Sequence, residues 1–132
     1  MAANPAPRDV WSVKLDKVRK CVVLRVEPDR AYIAAGQSQD GGKTAVRVMP
    51  GTPDIDKQMQ LSKDTYFRTD GMYLVTRDLF VSKIGRCPAR IFVEIEKVQP
   101  GDPADFVVVS GGENSASRKQ ISATTAVEVR EE

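Results

Sequence analysis

The sequence predicts a mainly β protein: a small barrel or a strongly bent antiparallel sheet, with one short helix in the C-terminal half. Three observations predict it. Short runs rich in β-branched and aromatic residues recur along the chain, separated by Gly, Pro and Asp clusters, which is the pattern of many short strands. One run, after Cys87-Pro88, repeats its apolar residues at helical spacing. The length of 132 residues, with 41% hydrophobic and 29% charged side chains, suits one modest core.

Residues 1–8 carry two prolines and three alanines without periodicity and read as a flexible arm. From Asp9 onward Trp11, Val13 and Leu15 alternate with Ser12, Lys14 and Asp16, the signature of a half-buried strand with Trp11 in the core. After a short connection, "KCVVLRV" is a second strand, on which Arg25 takes a polar, solvated position. "EPDR" is a turn, with Pro28 suited to a φ near −65°. "AYIAAG" is a third strand closed by Gly36, and "QSQDGGK" a loop whose Gly41 and Gly42 can supply positive φ. "TAVRVMP" is a fourth strand and "PGTPDIDKQMQ" a surface loop. "DTYFRTDGMYLVT" reads as a hairpin turning at "TDG", and "LFVSKIG" continues the sheet. Pro88 is favourable at a first helical position. Beyond it Ile91, Phe92, Ile95 and Val98 recur at helical spacing, while Ile91, Val93 and Ile95 also alternate; a short helix is the preferred reading. "QPGDPAD" closes a body spanning residues 9–98. In the tail, 99–132, "FVVV" offers one more strand and "AVEV" a weaker one.

Charge is uneven. Residues 1–97 carry 17 Lys and Arg against 12 Asp and Glu, and residues 98–132 carry 3 against 6. A mildly basic body with an acidic tail is compatible with an anionic partner without requiring one. There is no histidine, which removes the commonest general base and the commonest metal ligand. Any hydrolytic chemistry must rest on Arg, Lys, carboxylates, hydroxyls or a thiol. Cys21 and Cys87 stand far apart with no second cysteine at metal spacing and read as reduced thiols; no metal site and no cofactor are expected. No apolar run approaches the roughly 20 residues that span a bilayer, and the N-terminus lacks the pattern of a secretory signal. A cytoplasmic protein without membrane contact is the expectation.

The segments "DVWSVKL", "RKCVVLRV" and "AYIAAGQSQ", with the later "YFRTDGMYLVTRDLFVSKIGRCPARIFVEI", resemble the MazF/PemK family of toxin endoribonucleases. That family has an aromatic-bearing first strand, a second strand opening with Arg, a third ending in a hydroxyl-bearing cluster before Gln, and an Ile-Gly-Arg stretch running into a Pro-led helix. The resemblance covers residues 9–98. It implies an SH3-like barrel, usually a homodimer, that cleaves single-stranded RNA without a metal. It also implies an antitoxin protein as partner. The chemistry is coherent without histidine. The ribose 2′-OH is the nucleophile, a guanidinium holds the phosphorane oxygens by bidentate contacts, and a hydroxyl adds a further hydrogen bond.

Carried onto this chain, Arg19 falls on the family's catalytic Arg, with Lys20 where the family usually has Pro. Aligning Gln39 on the family's Gln puts the expected hydroxyl position at Gln37, with Ser38 one residue later. In a strand, one residue turns a side chain to the other face, so Ser38 serves only where the segment has left the sheet. The candidate catalytic residues are therefore Arg19 with Ser38 or Gln37 as helper. Lys20, Gln39, Lys83 and Arg86 are candidate RNA contacts, with Arg77 and Arg90 near the latter pair. Arg19 beside Lys20 also reads as a solvated strand-start charge. Tyr66, Phe67 and Tyr73 suit base stacking or, more often, the core. The connection between Trp11 and Arg19 is shorter than is usual in the family. The shifted hydroxyl and that short loop motivate a second reading, a non-catalytic barrel that binds nucleic acid or a protein.

Overall fold

A computed structural model describes residues 4–39 and 45–111, together with the backbone of residues 121 and 122. Eight strands form one sheet: β1 (Asp9–Lys14), β2 (Val18–Val26), β3 (Arg30–Gln37), β4 (Ala45–Val48), β5 (Thr65–Thr76), β6 (Phe80–Arg86), β7 (Val107–Val109) and β8 (Ile121–Ser122). Their spatial order is β6-β1-β2-β3-β5-β7-β8, with β4 also paired to β5. All pairings are antiparallel except β5 with β7. One main helix, α1 (Ala89–Lys97), follows β6. This is the mainly β class with one C-terminal-half helix that the sequence predicts.

Chain connectivity forces the bend. β5 and β6 are four places apart in the sheet, about 19 Å if it were flat. Only the 3₁₀ turn Arg77–Leu79 links them, and at about 2 Å of rise per residue it spans less than half that distance. The sheet must curl to bring the end of β5 to the start of β6. It does not close, since no ladder joins β5 to β6 among the described residues. Of the barrel and the bent sheet, the open form is the one observed.

Both faces are apolar. On one, Val10, Val22, Leu24, Ala34, Phe67 and Met72 pack against Ile95 of α1 and against Ile55 and Met59. On the other, Val13, Cys21, Val23, Ile33, Ala35 and Val75 meet Leu79 and Phe80. Cys21 and Cys87 are free, buried and in different clusters. Trp11 is half-buried, edge-on to Phe80 at 5.5 Å. In α1, Ile95 is buried while Val93 is 48% exposed, so the 3.6-residue period prevails over the alternating one. Pro88 caps the helix one position earlier than expected.

Two local expectations are corrected. "TDG" is not a hairpin turn: β5 runs through it from Thr65 to Thr76. The step from Ala34 to Gly36 on β3 faces the step from Met72 to Phe67 on β5, so Arg68–Gly71 bulge out while pairing resumes on both sides. A bulge wants the same permissive residues as a turn, which is why composition misled. "PGTPDIDKQMQ" is not simply a surface loop. Ile55–Met59 form one π-helical turn, and the four-residue spacing of Ile55 and Met59 buries both. "FVVV" does supply β7. "AVEV" lies outside the described residues. Residues 4–8 meet the sheet through Arg8, whose amide donates to the Val23 carbonyl at 2.9 Å and whose Nε donates to the Cys87 carbonyl at 3.1 Å.

Candidate functional site

A shallow cleft of about 230 Å³ opens where β2 begins and β3 ends. The tight β1–β2 connection places it. Lys14 pairs with Val18, so Leu15–Lys17 turn back at once and present Lys17, Arg19 and Lys20 along one wall. Gln37 and Ser38 come from the end of β3, and Ser62, Lys63 and Thr65 from the approach to β5. Gly36 lies between the walls. A Cβ there would stand 2.6 Å from the Thr65 methyl and 3.1 Å from the Lys20 carbonyl, so only glycine lets these segments approach. The lining holds four cations and three hydroxyls and no carboxylate.

Arg19 is not idle in this chain. Its Nε and Nη2 donate to the two carboxylate oxygens of Asp16 at 3.0 and 3.1 Å, a bidentate pair. The hydrogen bond from Arg19 holds the Asp16 carboxyl below its ordinary range, and Asp16 in turn raises the Arg19 pKa. The same carboxylate accepts from the Lys17 amide at 2.9 Å, which folds it back over the strand start. Lys20 donates to the Gln60 carbonyl, tying β2 to the segment before β5. Gln37 accepts from Arg68 Nη1 at 3.1 Å, and Arg68 also pairs with Asp70 at 2.6 Å, so the β5 bulge clamps Gln37. Ser38 is exposed and lies just past the last residue of β3. At that point strand alternation no longer sets its direction, and it lines the cleft beside Gln37.

Arg19, Lys20, Gln37 and Ser38 are thus brought together. Gln39 is exposed next to the cleft and does not line it. Lys83 and Arg86 lie elsewhere, on β6. They converge on the buried Asp9 carboxylate at 3.6 and 3.9 Å. Arg90 pairs with Asp54 at 2.6 Å, and Arg77 donates to the Glu27 carbonyl at 2.8 Å. Phe67 and Tyr73 are buried and Tyr66 half-buried. Burial pushes the Cys21 thiol far up and the Cys87 thiol to about 12, so neither is poised as a thiolate. Among the described residues no three His, Cys, Asp or Glu side chains gather as metal ligands.

Lys17, Ser62, Lys63 and Thr65 are the cleft residues that sequence reasoning missed. "LSKDT" carries two hydroxyls and a lysine immediately before the aromatic strand, but nothing local says that β5 runs beside the end of β3.

No family model matches the chain, and no curated protein matches it. Among solved structures it is similar to the Mycobacterium tuberculosis toxin MazF-mt6. The TM-score is 0.56 at 18% identity, over 69% of this chain and 91% of that one. At that identity the likeness is one of fold, and the fold of this chain is MazF-like.

Proposed function

We propose that this protein acts on single-stranded RNA as a metal-independent, MazF-like endoribonuclease, and that the cleft between β2, β3 and the approach to β5 is where it does so. The observation that carries the reading is the lining: Lys17, Arg19, Lys20 and Lys63 with Ser38, Ser62 and Thr65, and no carboxylate. Such a wall suits a phosphodiester backbone. In the reaction the ribose 2′-hydroxyl gives its proton to water and its oxygen attacks the adjacent phosphorus. The bond to the 5′-oxygen breaks and that oxygen takes a proton from water, and negative charge builds on the non-bridging oxygens between. In this reading Arg19 stabilises that charge by exchanging the Asp16 carboxylate for phosphate; its bidentate pair with Asp16 supports this. Ser38 adds a hydroxyl from just past the end of β3.

The test is a long unstructured RNA incubated with the pure protein in chelator, beside Arg19→Ala. Loss of a positioned donor at developing charge costs about 10²–10³ in rate. The exposed Asp16 pair is worth no more than about 1 kcal/mol of stability. Cleavage should therefore collapse while circular dichroism and melting hardly change; cleavage at the wild-type rate removes Arg19 from the mechanism.

The occupied Arg19 favours one alternative, a module of the same fold that binds nucleic acid or a protein without cutting. Retention of RNA without cleavage would select it. A toxin role, an antitoxin partner, a homodimer and a cytoplasmic location belong to the first reading; sedimentation and co-expression with an adjacent gene product test them.

A further inference from the structure

A second cavity, of about 270 Å³, lies at the other end of the β2–β3 hairpin. Its lining includes Leu24, Arg25, Tyr32, Glu96, Gln99 and Phe106. Leu24, Tyr32 and Phe106 are buried, and Phe106 stands edge-on to Tyr32 at 4.8 Å, which makes a rigid apolar floor. Gln99 and Phe106 come from beyond residue 98, outside the MazF/PemK-like body.

Arg25 reaches this cavity through a break in register. Val23 pairs with Ile33 and Arg25 with Tyr32, so two residues of β2 oppose one step of β3. Without that bulge Arg25 would share the face of Cys21 and Val23. With it, the guanidinium lies over the Tyr32 ring, 4.4 Å from the centroid. Bulges that re-aim a side chain concentrate beside functional sites. Stacking fixes the plane of the guanidinium, and its edge donates to no described residue. Glu96 lines the same cavity and likewise has no hydrogen-bond or ion-pair partner among the described residues. Opposite charges therefore share one cavity without pairing to each other, above an aromatic floor.

The volume falls just below the range of about 300–1,000 Å³ that holds drug-sized ligands, so it admits one ring system rather than a whole nucleotide. A ligand that fits must offer two adjacent acceptors to a guanidinium fork and adjacent donors to a carboxylate. Guanine does both: O6 and N7 accept from an arginine, and N1–H with the N2 amino group faces a carboxylate. Cytosine has adjacent acceptors but no adjacent donors, and adenine and uracil have neither pair.

We propose that this cavity is a guanine-base subsite, with Arg25 on O6 and N7 and Glu96 on N1 and N2. It deepens the RNA reading above. Arg25 lies on the same strand as Arg19, about 20 Å along it, and the bulge sets it on the face opposite Cys21 and Val23.

The experiment is a titration of the full chain with each of the four 5′-mononucleotides, followed by backbone amide NMR. GMP should saturate shifts in residues 24–25, 32, 96–99, 101–102 and 104–106, binding at least tenfold more tightly than AMP, CMP or UMP. Arg25→Lys keeps the charge but loses the fork, and Glu96→Gln loses the second acceptor; each should weaken GMP at least tenfold. Both side chains are exposed, so the variants should fold. Arg19→Ala should bind GMP as the wild type does, whether or not RNA is cut, which separates this subsite from the cleavage reading. Equal shifts from all four nucleotides, the same shifts from inorganic phosphate alone, no saturable GMP shift, or unchanged affinity in Arg25→Lys and Glu96→Gln would each overturn the proposal.

Discussion

Gly36→Ala tests the geometry that makes the cleft. The new Cβ would sit 2.6 Å from Thr65 Cγ2, against about 3.5 Å for carbons at optimal separation, so Thr65 must withdraw by about 0.9 Å. The Lys20 carbonyl at 3.1 Å belongs to the β2 backbone and cannot swing aside. Overpacking of this kind costs about 1–3 kcal/mol. Gly36 does not have a positive φ, so alanine restricts the unfolded chain and offsets about 0.4–1 kcal/mol. The central values leave a net loss of about 1.3 kcal/mol, or roughly 5 °C in melting temperature for a chain of this size. Thermal melts by circular dichroism measure it. Thr65→Ser removes the offending methyl, so the double variant should regain most of the loss, as a positive coupling in a double-mutant cycle. A Gly36→Ala protein that melts like the wild type, or a double variant no more stable than Gly36→Ala, would refute the close approach.

Gly85→Ala drives a Cβ into the backbone of Gln58, which cannot rotate away. It should cost about 3 kcal/mol or more and abolish a cooperative melt; a normal melt would show that the π-helical turn does not sit there. Asp16→Asn removes the internal competitor of phosphate and should tighten single-stranded RNA binding, read by fluorescence anisotropy; weaker binding would make Asp16 a support rather than a competitor. Because Asp16 titrates lower when folded, its pair with Arg19 contributes fully above the unfolded value of about 3.9 and is lost as pH falls through the lowered one. The stability difference between wild type and Asp16→Asn should therefore vanish in acid, and a difference that grows there reverses the sign. Lys17→Gln and Lys63→Gln should each reduce the slope of log affinity against log salt by about 0.7; an unchanged slope takes that lysine off the backbone path.

Much of the fold was legible because it is local. β1, β2 and the turn at "EPDR" follow from alternation and β-branched runs that need no partner to be recognised. The helix after Pro88 was legible for the same reason, although "RIFVEI" satisfies both periods and only the packing of Ile95 against the sheet decides between them. The bulge at Arg68–Gly71 was not legible. A turn and a bulge ask for the same Thr, Asp and Gly, and what separates them is β3, whose register binds both halves of β5. The buried spacing of Ile55 and Met59 was present in the sequence but outweighed by the surrounding Pro, Gly and Asp.

The site divides along the same line. Arg19 and the end of β3 are joined by an antiparallel hairpin, so their proximity follows from short-range pairing. Lys63 lies 26 residues beyond Gln37 and Thr65 29 beyond Gly36, and both arrive through β5, a contact no local pattern encodes. Lys83 and Arg86 looked like phosphate ligands because charge is visible in sequence and its partner is not; the partner is Asp9. The one-residue offset of the hydroxyl resolves differently. Alternation disqualifies Ser38 only while the strand continues, and β3 ends at Gln37. Arg68 already engages the Gln37 side chain, whereas the Ser38 hydroxyl has no hydrogen-bond partner among the described residues. On the proposed reading, Ser38 is therefore the hydroxyl that meets a phosphate, and Gln37, held by Arg68, supports the cleft's wall.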